Sequence, residues 1–223
     1  MNIVDLTFPI HEGMLTYPSK NHPKVEISIL GNIKEAGRTT RKIILGTHTG
    51  THVDAPAHFL ENSLNIDQVD LQILVGKAHM IDVSSVPPRT AIQINHLTEI
   101  DNYQGLKRLV IRTGWSSKWN TDIYYSDYPY LSHETCEYLI SRKIKLLALD
   151  VPSPDNPLDH YGSGNDSPNH KLLFRNGVVL VEYLANLDRI DVSDFFIAAL
   201  PLPICDGDAA PARVIAFWDY QNG

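Results

Sequence analysis

The sequence predicts an α/β protein: one domain over residues 1–223, with a mixed sheet flanked by helices. Three observations carry this. The chain has 223 residues, 43% hydrophobic and 20% charged, enough for one sizeable core but short for two. Eight short β-branched segments read as strands, and several are continuous apolar runs of the kind found in strands covered on both faces. Fewer segments have helical periodicity, and the two kinds mix without a regular βαβ alternation, which favours a layered fold with a mixed sheet.

In chain order, Val25–Leu30 and Thr39–Leu45 are the first expected strands. Ile66–Leu74 is expected as a short helix, followed by a strand over Ala78–Val83. Ala91–Leu97 is expected as another short helix, with Thr90 as its cap. A strand over Arg108–Thr113 precedes the clearest helix, Leu131–Lys143, where Ser132, Glu134 and Thr135 form a capping group and Leu131, Thr135, Tyr138, Leu139 and Ile144 fall near one face. After a strand at Leu146–Val151, the segment Pro152–Ser167 is rich in Pro, Gly, Asn and Asp and reads as a long surface loop, a place where function often sits. A helix over Asn169–Arg175, closed by Asn176-Gly177, leads into strands at Val178–Val181, Phe195–Leu200 and Val214–Trp218.

Composition excludes several classes of function. The net charge is −7 with no run of Lys or Arg, which argues against nucleic acid or an anionic membrane as the partner. No stretch reaches the roughly 18 apolar residues of a membrane span. The opening residues lack the pattern of a secretory signal, so Cys136 and Cys205 read as reduced, buried thiols of a cytoplasmic protein.

The densest chemistry lies in HTGTHVDAPAHF, residues 48–59, which holds three of the ten histidines. Glycines, β-branched residues and Pro56 oppose a helix here. A tight loop running into an extended piece places His52 and Asp54 on one side, since strand side chains alternate. A loop folding His48 back completes a His, His, carboxylate set suited to Zn²⁺, Mn²⁺ or Fe²⁺. A solvated polar loop with surface histidines is the competing reading; the apolar Phe59-Leu60 that follows favours a loop held against the core. Far downstream, PNHKLLFRNGVVLVE sets His170 in a short helix and Glu182 at the end of an apolar strand, where a carboxylate needs a partner.

HTGTHVDAPAHF resembles the H-x-G-T-H-x-D-x-P-x-H-F signature of the metal-dependent cyclase/hydrolase family, which includes bacterial kynurenine formamidases and isatin hydrolase. LLALDVPSPD, NHKLLFRNGVVLVEYLANLD and IAALPLPICDGDAAPARVIA resemble its later blocks. The resemblance implies a swivelling β/β/α fold, a homodimer, a small-molecule substrate, and a site for two divalent metal ions, zinc first and manganese second. It implies His48, His52 and Asp54 as ligands of one metal, and Asp54, His170 and Glu182 as ligands of the other. His58 is implied as the catalytic acid/base. The implied activity is hydrolysis of a small amide, an aryl formamide such as N-formylkynurenine; the alternatives are hydrolysis of a lactam, ester or other ring substrate, or a non-catalytic metal-binding homologue. Tyr17, Phe59 and Trp115 are expected to line an apolar pocket. Thr47, Thr51 and Asp150 are expected to orient the imidazoles; Asp155, Asp159 and His160 read first as part of a solvated loop and second as a gate to the site. The family carries an aromatic residue followed by Pro-Gly-Asp near its N-terminus; Tyr17-Pro18-Ser19-Lys20 departs from that, so the resemblance supports the metal chemistry more than the kynurenine substrate. Asp206-Gly207-Asp208 reads as a turn.

Overall fold

The apolar runs become strands that share their two faces between two cores. The structure, a computed structural model, describes residues 1–159 and 162–219. Its elements run β1 (Asn2–Asp5), β2 (Glu26–Gly31), α1 (Ile33–Ala36), β3 (Thr40–Ile44), β4 (His52–Asp54), α2 (Leu71–Leu74), β5 (Val75–Asp82), β6 (Ala91–Ile92) and β7 (Arg108–Arg112). There follow β8 (Tyr130–Leu131), α3 (His133–Ser141), β9 (Leu146–Leu149), α4 (Pro168–Arg175), β10 (Val179–Glu182), β11 (Asp194–Pro201) and β12 (Ala209–Trp218).

Strands β5, β7, β9 and β10 pair in parallel in that order. Antiparallel pairings then carry the sheet from β10 to β4, from β4 to β12, from β12 to β11 and from β11 back to β5. The mixed α/β class stands, but the sheet closes on itself as a seven-stranded barrel instead of lying open between helical layers. β12 is long enough to pair with β4 through Ala209–Pro211 and with β1 through Ile215–Trp218 along the same edge. Closure leaves no free edge on these seven strands.

The period-two alternation of a strand divides the cores. On β9, Leu146 and Ala148 join Val53, Val110, Val181, Ala210 and Val214 in one cluster. Their neighbours Leu147 and Leu149 join Leu109, Ile111 and Leu180 in a second cluster with Leu139 of α3 and Leu173 and Phe174 of α4. The Ser132 side chain caps α3 by accepting from the Thr135 N–H, as the sequence predicts.

Three expectations are corrected. Ala91–Leu97 is not a helix: Ala91-Ile92 pairs with Tyr130-Leu131, Ile92 O accepts from Ser132 N, and only Ile94–His96 forms a 3₁₀ turn, capped by Gln93 and not Thr90. Ile66–Leu74 breaks at Val69-Asp70 into a 3₁₀ turn and the single-turn α2, because Asp70 caps a new start by accepting from Gln72 N. Cys205 is exposed, while Cys136 is buried as expected. β2 and β3 form a separate hairpin whose Ile29, Leu30, Ile43 and Ile44 face solvent.

Candidate metal centre

β4 is only three residues long, yet it lies between β10 and β12 and sets the geometry of the site. His52 and Asp54 project from the same side of the strand. Glu182 stands directly opposite His52 across the β10 pairing. Ala209 and Pro211 flank the same two residues on the other side. The strand is entered through a turn in which Gly50 has φ +62°, a conformation that costs a side-chain-bearing residue about 1–2 kcal/mol. That turn folds His48 back over His52, as the sequence suggests.

The six expected centre residues converge. His48 Nδ1 lies 2.9 Å from Asp54 Oδ1, and His52 Nε2 lies 3.0 Å from the same oxygen. The two imidazole nitrogens are 3.2 Å apart. On the other side of the carboxylate, His170 Nε2 lies 3.6 Å from Asp54 Oδ2 and 3.2 Å from Glu182 Oε1. Asp54 thus turns one oxygen toward His48 and His52 and the other toward His170. His52, Asp54, His170 and Glu182 are all buried.

Each inward-facing imidazole of the buried pair is fixed through its other nitrogen. His52 Nδ1 meets the Gly50 carbonyl at 2.8 Å, so Nδ1–H donates and Nε2 is free for the centre. His170 Nδ1 bonds Asp155, which also accepts from the backbone N–H groups of Asn169 (2.6 Å) and His170 (3.3 Å) at the start of α4. Asp155 is therefore a buried orienting carboxylate and not a solvated gate. Thr51 instead donates to Tyr183 O, and Asp150 accepts from Thr113 and from Gly114 N, so neither touches an imidazole. Asp159 lies in the loop beyond, bonded to Asn156 and Ser167 through its backbone, and His160 lies outside the described residues.

Burial opposes charge in this centre; neighbouring charges override it at His48, His170 and Asp54, and burial prevails at Glu182 and His58. Burial works against the His48 imidazolium, but Asp54 and Asp208 outweigh it and raise its pKa to about 10. His170 is likewise raised against burial by Asp155, Asp54 and Glu182. Burial also disfavours the Asp54 carboxylate, yet His52 and His48 hold it well below the usual range. Glu182 is raised, first by burial and then by the Asp54 charge beside it. His58 is lowered by burial despite the pull of Asp208.

These residues fit divalent cations. Among the described residues, both oxygens of Asp54 and Oε1 of Glu182 are buried without a hydrogen-bond partner. Unsatisfied buried carboxylates of this kind are costly, and a cation satisfies them. Two groups can converge on an ion: His52, Asp54 and Glu182, and His48, Asp54 and His58. Asp54 belongs to both. A metal takes the Nδ1 or Nε2 site that a proton otherwise holds, so binding would displace the extra protons that His48 and His170 keep because of their carboxylate neighbours.

His58 closes the 3₁₀ turn Pro56–His58, its ring 4.0 Å from that of His48 and 6.1 Å from that of His170. A cleft of about 1270 Å³ opens over the centre, lined by His58, Tyr17, Phe59, Tyr125, Tyr128 and Lys20 among others. Tyr17 and Phe59 lie in the cleft wall: Tyr17 packs on Tyr125 (5.4 Å) and Phe59 on His170 (5.0 Å). Trp115 does not. It is 5% exposed in the core, where its indole N–H donates to Tyr124 O at 2.9 Å, because the Gly114 turn directs it inward. The sequence reading missed Asp208, whose Oδ2 lies 2.8 Å from His48 Nε2 and 3.4 Å from His58 Nδ1. It also missed Tyr125 and Tyr128; the run of tyrosines at 124, 125 and 128 was the available signal.

Residues 4–156 match the family model described as "Putative cyclase". The chain belongs to the cyclase family. Among its relatives in this family, the kynurenine formamidase of Bacillus cytotoxicus is 32% identical over 214 residues, 95% of each chain. The kynurenine formamidase of Bacillus cereus is 31% identical over 215 residues, again 95% of each. Among solved structures, an isatin hydrolase bound to the product analogue thioisatinate superposes with a TM-score of 0.82 at 25% identity, covering 96% of this chain and 91% of that one. The structure of a "predicted metal-dependent hydrolase from Bacillus stearothermophilus" superposes with a TM-score of 0.78 at 27% identity, covering 96% and 97%.

Proposed function

We propose that this cyclase-family chain is a metal-dependent amidohydrolase that opens a small amide, with aryl formamides such as N-formylkynurenine as the first substrate class. The observation that carries the reading is the buried Asp54, which has no hydrogen-bond partner among the described residues and stands between two imidazole sets. His48, His52 and Asp54 would hold one divalent ion, and Asp54, His170 and Glu182 the other, with zinc first and manganese second. When bound, the pair of ions supplies Lewis acidity toward a carbonyl and lowers the pKa of water toward neutrality.

The rest is the work of this chain's side chains. His58 is the one histidine of the opening cluster that the ligand sets do not need, and burial keeps it neutral near pH 7. A neutral imidazole at the cleft wall takes a proton and later returns it to a leaving nitrogen. Tyr17, Phe59, Tyr125 and Tyr128 give the cleft an aromatic wall suited to an aryl group. The formamidase relatives, at 31–32% identity over 95% of the chain, favour a formamide. The isatin hydrolase neighbour favours a second reading, a lactam opened by the same residues. The exposed Ile29, Leu30, Ile33 and Ile43 of the β2–β3 hairpin region support the homodimer included in this proposal.

Turnover of N-formylkynurenine, isatin and a panel of aryl amides and esters by the zinc-loaded protein tests the substrate class. His58→Ala should abolish turnover with the metals still bound. Loss of metal in that variant would move His58 from proton carrier to ligand.

A further inference from the structure

The turn Asp206-Gly207-Asp208 has no part in the function proposed above, yet its backbone is fixed against the histidine segment. Ala55 N donates to Asp208 O at 3.0 Å, and Ile66 N donates to Gly207 O at 2.8 Å. Gly207 is required by this approach: a Cβ there would lie 2.9 Å from both Ile204 O and Ile66 Cγ2. The turn therefore delivers the Asp208 carboxylate to one place. There a single oxygen, Oδ2, lies 2.8 Å from His48 Nε2 and 3.4 Å from His58 Nδ1, while the two rings sit 4.0 Å apart and tilted by 39°.

We propose that Asp208 is a positioning residue that sets the tautomers of both histidines through that one oxygen. His48 would keep its proton on Nε2, toward Asp208, and turn the Nδ1 lone pair toward Asp54. His58 would keep its proton on Nδ1, toward Asp208, which leaves Nε2 as the nitrogen that exchanges protons with substrate. One carboxylate thereby links a metal ligand to the acid/base, in the way that outer carboxylates fix ligand imidazoles in other metal sites. It also explains how His58 can lie within ligating reach of His48 and Asp54 and still serve another role, since its Nδ1 is already engaged. The inference rests on the proposed ligand and acid/base assignment.

Long-range ¹H–¹⁵N spectra of the histidine side chains test it directly on the zinc-loaded protein, with His58 signals assigned by their loss in His58→Gln. The expected result is the Nδ1–H tautomer for His58 and an Nε2–H, Nδ1-ligated pattern for His48. In Asp208→Ala, His58 should move toward the Nε2–H tautomer and zinc affinity should fall by about 10–100-fold in chelator competition. Asp208→Asn keeps an acceptor oxygen and should retain most of the wild-type tautomer. An Nε2–H tautomer for His58 in the wild type, or ring signals unchanged in Asp208→Ala, would overturn the proposal. If the wild type takes up no zinc, the metal reading fails separately, and the His58 tautomer is still read in the metal-free protein at pH 8.

Discussion

Replacing Asp155 by Asn tests how the second half of the centre is held. Asp155 accepts three hydrogen bonds, from the His170 ring and from two backbone N–H groups at the start of α4. Asn keeps one acceptor oxygen, which can face either the Asn169 N–H or the His170 N–H and ring, so the bonds that Oδ1 and Oδ2 share between them cannot all persist. What it removes is the negative charge facing a buried imidazole. A hydrogen bond to a charged partner contributes about 1.5–3 kcal/mol, and an outer partner of a ligand imidazole is worth about 10–100-fold in metal affinity, or roughly 1.4–2.7 kcal/mol. The two routes to the magnitude agree. Competition against a chelator of known affinity should show one ion held as in the wild type, by His48, His52 and Asp54. The other should be weakened by about 10–100-fold. Asp155→Asn holding both ions with wild-type affinity would refute the assignment of His170 as a ligand oriented by this carboxylate.

Two further predictions concern stability. In the metal-stripped protein, the folded His48 pKa of about 10 exceeds its ordinary 6.5, so the folded state binds more protons between those values. That stabilisation is fully present below pH 6.5 and is lost as pH rises toward about 10. Thermal melts across this range should show Tm falling with pH, less steeply in His48→Gln; the raised His170 adds a slope of the same sign. Gly50→Ala must adopt φ near +62° and places a methyl 3.0 Å from Met14 Cε. The tip of Met14 can yield, so the backbone term dominates, at about 1–2 kcal/mol or a Tm lower by roughly 2–8 °C, measured by calorimetry.

Much of the fold is legible in the chain because its strands obey local rules. The runs at 109–111, 146–149 and 179–181 are apolar on both faces, since each lies between the two cores. Closure of the barrel is not legible. It depends on His52–Asp54, a three-residue strand of mostly polar residues, pairing with Ala209–Pro211 more than 150 positions away. Ala91-Ile92 has helix-compatible residues, and only the distant Tyr130-Leu131 draws it into a bridge. The centre divides in the same way. His48, His52, Asp54 and His58 are visible because they share twelve residues, and His170 and Glu182 because of the blocks that contain them. Asp155 and Asp208 read as loop and turn, since their roles come from partners that only the fold brings near. Trp115 reads as a pocket residue by type, but the Tyr124 carbonyl satisfies its indole inside the core.

In the proposed centre one carboxylate, Asp54, serves two cations. Metal content by elemental analysis of the purified protein, compared with Asp54→Asn after identical dialysis, tests it most directly. Close to two divalent ions per wild-type chain and close to none in Asp54→Asn are expected. A wild type that turns over its substrate without metal, or an Asp54→Asn protein that keeps its ions, would contradict it.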